Sequence, residues 1–294
     1  MIKTLIKQFA ITALMTVCAI QVCWASVAQS NPGEFAIIGD AGKTTSNSKK
    51  VRDSIIRQGV SELILPGDNL YSSTYQSVWQ PWTSAGMNYS IVAIGNHNGG
   101  YKSEMAFFQM PSEFYTKVID GARFIVLNSD NNNTGSQQAA WLEQELSNST
   151  EELVFLVYHH PSYTISKFHT WQEKAQFQKS IRPIIWKYRS KITALIVGHD
   201  HLASILHFND LPVLLSGAVQ EVRKDGPVNN TQDGIKIQTA WYFDSTPHWA
   251  KLTWDLSSRT AQVEYTRATD DTITCTALLA TGQRAQLQSN CLRQ

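Results

Sequence analysis

The sequence predicts an α/β fold in which two facing β-sheets of mixed strand direction are flanked by helices. Three observations carry this. From Glu34 to Leu202, short apolar runs that read as buried strands alternate with helical or loop stretches. After Leu202 the pattern changes to successive strands with little helix between them, as hairpins completing a second sheet would look. No internal repeat and no long linker divides the chain, so one layered domain accounts for the whole.

The elements follow in order. "EFAIIGD" is the first strand, and "SNSKKVRDSIIRQG" the first helix. Ser46 or Ser48 is its expected N-cap, Val51, Ile55 and Ile56 its apolar face, and Gly59 its stop. "ELILPGD" and "SIVAIGNH" are strands on either side of "TYQSVWQPWTSAG", a short helix or loop interrupted by Pro81. "ARFIVLNSD" and "ELVFLVYHHP" are strands around the helix "SQQAAWLEQELS". A long helix is expected over "HTWQEKAQFQKSIRPIIWKYRS", kinked or broken near Pro183. "KITALIVGHDH" is the last buried strand before the β-rich part. Asn128–Ser136 and Asp225–Gly234 read as mobile loops.

Composition sets the class. With 294 residues, 43% hydrophobic and 17% charged, the chain suits one large domain or two small ones. The start differs from the rest. Lys3 and Lys7 precede an apolar run from Phe9 to Ile20, followed by small residues. That is the pattern of a secretory signal peptide over residues 1–28, cleaved after Ala25 or Ala28. The apolar run has 12 residues, short of the ~20 a spanning helix needs. Residues 29–294 are then the single domain, with no membrane span expected. Removing Lys3 and Lys7 leaves 23 basic and 24 acidic residues, so no nucleic-acid partner is expected. Cys18 and Cys23 leave with the signal. Cys275 and Cys291 remain, an even pair expected to form a disulfide that pins the C-terminal tail in a secreted or periplasmic protein.

Five strand ends carry unusual residues: Gly39-Asp40-Ala41-Gly42, Gly67-Asp68-Asn69-Leu70-Tyr71, Gly95-Asn96-His97-Asn98, Val157-Tyr158-His159-His160-Pro161 and Gly198-His199-Asp200-His201. Loops beyond the carboxyl ends of strands in an open α/β sheet converge on one crevice. Oxygen donors and imidazoles gathered there are metal-ligand types. Ionisable groups ending apolar strands are costly as pure structure, because burying them unpaired is unfavourable. A glycine before each group lets the chain turn sharply and lets neighbouring backbone come close.

These five blocks, in this order, resemble the calcineurin-like metallophosphoesterases and specifically the purple acid phosphatases. The family pattern is GDxG, GDxxY, GNH followed by an acid, VxxH or HxP, and GHxH. The chain has GDAG, GDNLY, GNHN, VYHHP and GHDH, spanning about Phe35 to Gly217. Each block alone is a weak signal, and five in order are a strong one. The resemblance implies the metallophosphoesterase-type αββα sandwich and a binuclear centre. Asp40, Asp68, Tyr71 and His201 would hold a ferric ion. Asp68, Asn96, His159 and His199 would hold a divalent Fe, Zn or Mn, with Asp68 bridging. The implied reaction is hydrolysis of a small phosphate monoester by a metal-bound hydroxide, with His97 on the phosphate oxygen or the leaving alkoxide. A phosphodiesterase or nucleotide pyrophosphatase on the same centre is the alternative, and a non-catalytic binding module a third reading. His169 is read either as facing substrate or as a surface or capping residue. VYHHP leaves two registers open, with His159 or His160 as the ligand. Asn98 stands where the family usually has an acid, which bears on the rate and pH optimum.

Overall fold

The computed structural model describes residues 33–224, 229–243 and 245–291. The expected signal peptide over residues 1–28 lies outside the described residues. Residues 31–294 form one compact unit.

In chain order the elements are β1 (Phe35–Ile37), α1 (Ser46–Arg57), β2 (Glu62–Pro66), α2 (Tyr75–Thr83), β3 (Asn88–Ala93), α3 (Tyr101–Phe108), β4 (Tyr115–Ile119) and β5 (Ala122–Val126). Then come α4 (Gly135–Asn148), β6 (Leu153–Val157), α5 (Ala175–Tyr188), β7 (Ala194–Val197), β8 (Ala203–Phe208) and β9 (Leu211–Ser216). The chain finishes with β10 (Asn230–Gln232), β11 (Ile235–Phe243), β12 (His248–Asp255), β13 (Thr260–Arg267), β14 (Thr272–Leu279) and β15 (Gln286–Leu287).

The strands form two mixed sheets, in the orders β15-β14-β13-β12-β1-β2-β3 and β10-β11-β8-β9-β7-β6-β5-β4. Each has a parallel centre, β1-β2-β3 in the first and β5-β6-β7-β9 in the second. The period-2 geometry of a strand divides the second sheet between two cores. Phe155 and Val157 of β6 pack toward the first sheet with Ile37, Leu65 and Leu252. Val154 and Leu156 pack outward with Leu142 and Leu146 of α4 and Phe177 and Ile181 of α5. Covered on both faces, these strands are continuous apolar runs rather than alternating ones. The inter-sheet layer is rich in rings: Phe35 and Trp254 stack at 5.2 Å, and Phe124 lies 5.7 Å from Trp254.

Several expectations are corrected. The C-terminal strands do not complete one sheet: β8 to β11 extend the second, while β12 to β15 return to the first beside β1. Thr45, not Ser46 or Ser48, caps α1, with Ser48 completing the capping box. Ile56 is turned to solvent. Pro81 and Pro183 lie within uninterrupted helices. The carbonyls they leave without a helical partner belong to Ser77 and Lys179, both exposed, where water can satisfy them. α5 starts at Ala175 rather than His169, because Lys174 takes a left-handed φ of 54°. The stretch read as a loop at Asp225–Gly234 ends in a hairpin: Asp233 and Gly234 both have positive φ and join β10 to β11, the two-residue turn an Asp-Gly pair favours. Its residues 225–228 lie outside the described residues. Within Asn128–Ser136, Asn132–Thr134 form a 3-10 turn and Gly135 and Ser136 open α4, with buried Asn128 bonded to the Gln138 amide in both directions. Cys275 and Cys291 are disulfide-bonded, tying the tail to β14.

Candidate metal centre

The parallel strands β1, β2, β3, β6 and β7 end at one edge, and their following loops meet. Asp40 N–H donates to the Gly67 carbonyl (3.1 Å), Gly42 N–H to Asp68 (3.0 Å) and Tyr71 N–H to Gly42 (2.9 Å), so the first two loops are laced together. Gly198 N–H donates to His159 (3.2 Å), joining the fourth and fifth. His199 N–H donates to Asp40 Oδ2 (2.8 Å), which ties the two sheets across the cleft.

Backbone conformation is unusual here. Asp40, Asp68, His199 and His201 have φ values of 55°, 57°, 75° and 52°. Side chains other than glycine rarely occupy this left-handed region, and such strain persists where surrounding structure imposes it, often at functional sites. The close approach also explains two glycines. A Cβ on Gly95 would stand 2.2 Å from Asp68 Oδ1, and one on Gly67 would stand 2.6 Å from the His159 ring.

Donor atoms crowd the cleft. Tyr71 Oη is 2.7 Å from Asp68 Oδ2, 3.1 Å from Asp40 Oδ1 and 3.1 Å from His201 Nε2. His159 Nε2 is 3.0 Å from Asp68 Oδ1, 3.2 Å from Asn96 Oδ1 and 3.2 Å from His199 Nδ1. His201 Nε2 is 3.3 Å from Asp40 Oδ1. Asp40 and Asp68 are buried, and among the described residues they pair with histidines but with no lysine or arginine. The single phenolic proton cannot serve both carboxylates, and two imidazole nitrogens face each other across 3.2 Å. Carboxylates, a phenol, imidazoles and an amide with too few protons among them fit hard or borderline cations.

The electrostatics are those of a site built for positive charge. Burial, then the Asp40 and Asp68 carboxylates, raise the Tyr71 phenol far above its ordinary pKa. Burial opposes both partners of the Asp68–His159 pair. Even so, His159 holds Asp68 well below the usual carboxylate range, and Asp68 lifts His159 to about 9. His199 is lowered, first by burial. In His201, burial is outweighed by Asp40 and the pKa rises. A cation in the cleft would favour the ionised phenol and the neutral imidazoles.

The structure thus gathers Asp40, Asp68, Tyr71, Asn96, His159, His199 and His201 around one cleft. His97 stands at its mouth, exposed, its ring stacked on Tyr71 at 4.2 Å and its N–H on Asp68 Oδ1 (2.8 Å). His169 is half-buried against the His199 ring at 3.9 Å and takes a hydrogen bond from Arg223 Nη1 (2.5 Å). Burial, then His199, push it down to about 4. His160 is close too: its donor atom lies within 4.8 Å of those of His159 and His199, and its Nδ1 is engaged by Ser129 Oγ (2.9 Å). Asn98 Nδ2 donates to the Gly95 carbonyl (2.6 Å) and lies 3.4 Å from Asp130, which also receives Tyr101 and Lys174. A carboxylate therefore stands beside Asn98, supplied from the end of β5.

Glu173, Glu221 and Arg223 were not foreseen. Glu173 Oε2 lies 2.9 Å from His199 Nε2, and Glu221 Oε2 lies 3.1 Å from His201 Nδ1. Neither glutamate belongs to a strand-end block, and the only sequence hint is the four-residue spacing of His169 and Glu173. The mouth is an open cavity of about 270 Å³ lined by Lys43, His97, His169, Gln220 and Arg223 above the donor atoms. Two larger cavities, of about 730 and 520 Å³, lie elsewhere, lined by Met110 and Phe114 and by Trp171 and Trp186. Asp68, Tyr71, Asn96, His199 and His201 line the smallest of the three, so chemistry rather than size marks the site.

Two parallel-centred sheets with this cleft at the strand ends define a metallophosphoesterase-type sandwich. The chain belongs to the calcineurin-like phosphoesterase family, whose profile matches residues 33–203. Within it the chain resembles purple acid phosphatases. It is 26% identical over 197 residues to the probable purple acid phosphatase 20 of Arabidopsis thaliana, covering 58% of this chain and 45% of that one. The chain spans about half the length of the plant relatives it matches. Purple acid phosphatase PPD1 from yellow lupin (Lupinus luteus) seeds superposes with a TM-score of 0.66 at 18% identity, over 83% of this chain and 53% of that chain. GAP50, the anchor in the inner membrane complex of Plasmodium, superposes with a TM-score of 0.65 at 16% identity, over 85% and 89%. At these identities the two structures speak for the fold alone. Among the described residues no helix is long and apolar enough to cross a membrane.

Proposed function

We propose that this chain is a secreted or periplasmic phosphatase that hydrolyses phosphate monoesters at a binuclear centre of Fe(III) and a divalent Fe, Zn or Mn. The observation that carries the reading is Tyr71 Oη among Asp40, Asp68 and His201, all within 3.1 Å. A phenolate is a hard, charged donor that suits a trivalent ion. Asp40, Asp68, Tyr71 and His201 would hold it. Asp68, Asn96, His159 and His199 would hold the divalent ion, with Asp68 shared. His159 is favoured over His160 because its Nε2 meets Asp68, Asn96 and His199.

The ions, when bound, supply Lewis acidity and activate the nucleophile. The chain does the rest. The buried carboxylates fix the ion positions. His97, exposed at the mouth, would donate to a phosphate oxygen or to the departing alkoxide, with which the exposed side of the cleft allows contact. Lys43 and Arg223 add positive charge where an anionic ester enters. His169, engaged by Arg223, would act on substrate through the rim. The amino-terminal pattern and the Cys275–Cys291 disulfide support secretion.

The test is the visible absorption spectrum of the purified protein beside Tyr71→Phe. A broad mid-visible band lost in the variant is expected for a ferric tyrosinate. A colourless protein holding only divalent metal would sink the iron assignment. Rates on a monoester against a diester decide the reaction: a faster diester would replace this reading with the phosphodiesterase one.

A further inference from the structure

His199 and His201 present opposite ring nitrogens to the cleft. His199 turns Nδ1 inward, toward His159 Nε2, and His201 turns Nε2 inward, toward Tyr71 and Asp40. Each outward nitrogen meets a glutamate: His199 Nε2 meets Glu173 at 2.9 Å and His201 Nδ1 meets Glu221 at 3.1 Å. The glutamates come from different segments, one before α5 and one after β9. Both are partly exposed, with 33% and 55% of their side chains accessible, while the imidazoles they meet are buried.

The two glutamates are themselves tied together. Glu173 Oε1 accepts the Thr170 N–H (3.0 Å) and lies 3.5 Å from His169 Nδ1. His169 Nε2 receives Arg223 Nη1, and Arg223 Nε lies 3.8 Å from Glu221. Arg223 N–H also donates to the His201 carbonyl (3.1 Å). A chain of side chains, Glu173–His169–Arg223–Glu221, therefore arches over both histidines and holds each carboxylate in place.

We infer that Glu173 and Glu221 are positioning residues, each fixing the ring nitrogen that its histidine offers inward and each serving a different ion. A carboxylate accepting the outer N–H leaves the inner lone pair free and sets the ring plane. The inference rests on the ligand sets proposed above. In those sets His199 belongs to the divalent ion, and His201 shares the ferric ion with Tyr71. Glu173 should then act on the divalent site alone, and Glu221 on the coloured one.

The test uses the metal-free protein with Fe(III) and Zn(II) as probes, reading metal affinity by chelator competition, and the visible band and melting temperature alongside. Glu173→Ala is expected to weaken Zn(II) about 10- to 100-fold while the band of the ferric form keeps its position. Glu221→Ala is expected to shift the band and speed Fe(III) loss, by a smaller factor because Glu221 is more exposed. Glu173→Gln and Glu221→Gln keep an acceptor oxygen and should recover part of each loss. Should an alanine variant not fold, its glutamine counterpart must show the same asymmetry at smaller size. Wild-type affinity and band in both alanine variants would overturn the inference. So would equal loss of both ions from either variant, which is what general destabilisation gives. A wild type that binds no ion fails earlier, and takes the ligand sets with it.

Discussion

The floor of the cleft and its rim are built in different ways. The floor, Asp40, Asp68, His159, His199 and His201, is buried and springs directly from strand ends. Its geometry is imposed by the main chain, through left-handed residues and glycines that admit no side chain. The rim, His169, Glu173, Glu221 and Arg223, sits on longer segments. It is placed by side chains touching one another, such as Arg223 on His169 and Glu173 on His199. On the proposed assignment, rigid backbone would set where ions go, and adaptable side chains would set how those ions and their substrate are tuned. Floor changes should therefore abolish, and rim changes should adjust.

The largest expected effect is at Asp68, the carboxylate proposed to be shared. Asp68→Ala should lower phosphatase activity by more than about 10³-fold, the upper end for removing one electrostatic group, and leave both ions weakly held by elemental analysis. Retained activity would break the floor-and-rim distinction at its centre. Gly95→Ala comes next. Its methyl would overlap Asp68 N and Oδ1 at 2.2 Å, so a loss of about 1–3 kcal/mol in denaturant unfolding is expected, together with metal loss.

A change remote from the cleft sharpens the contrast. Replacing Cys275 and Cys291 by serine opens a crosslink of sequence separation 16 and should cost about 3 kcal/mol in unfolding experiments. Activity of the folded protein should stay.

The subtlest test lies beneath the floor. Glu104 is fully buried, accepting from Asn69 Nδ2 (2.6 Å) and Tyr75 OH (3.2 Å). Burial pushes its carboxyl up to about 8 from the ordinary 4.5. The folded state thus prefers the protonated form, while the unfolded chain ionises near 4.5. That contribution to stability is full below pH 4.5 and is lost as pH rises through 8. Glu104→Gln, neutral at every pH, should flatten this decline in melting temperature. An unchanged pH profile would show that Glu104 is already ionised in the fold.

Much of this was legible in the sequence, and for physical reasons. Strands buried on both faces have to be continuous apolar runs, so "ELILP" and "LVFLV" announced themselves. A polar residue ending such a run has to be held by something, so Asp40, Asp68, His159 and His199 stood out. The Asp68-to-Tyr71 spacing and the His199-to-His201 spacing are local facts that a chain carries in its own order. The partners of those residues are not local. Glu173 reaches His199 across 26 positions and Glu221 reaches His201 across 20, with no periodicity to betray them. Asp130 reaches Asn98 from the turn after β5, a contact that could not be found by reading onward from GNH. Which sheet the last strands would join was equally hidden. β8–β11 and β12–β15 are both hairpin series, and only pairing of β9 with β7 or of β12 with β1 separates them. The sequence by itself determined most of the buried strands, though not β4 or β10, together with the strand-end donors and the disulfide pair, because each follows from local patterning or from chemistry carried by a few residues. The tertiary structure decided which nitrogen of His199 and His201 faces the cleft, which glutamate the other nitrogen meets and how the two sheets divide the chain. Those depend on contacts between segments that sequence order does not encode.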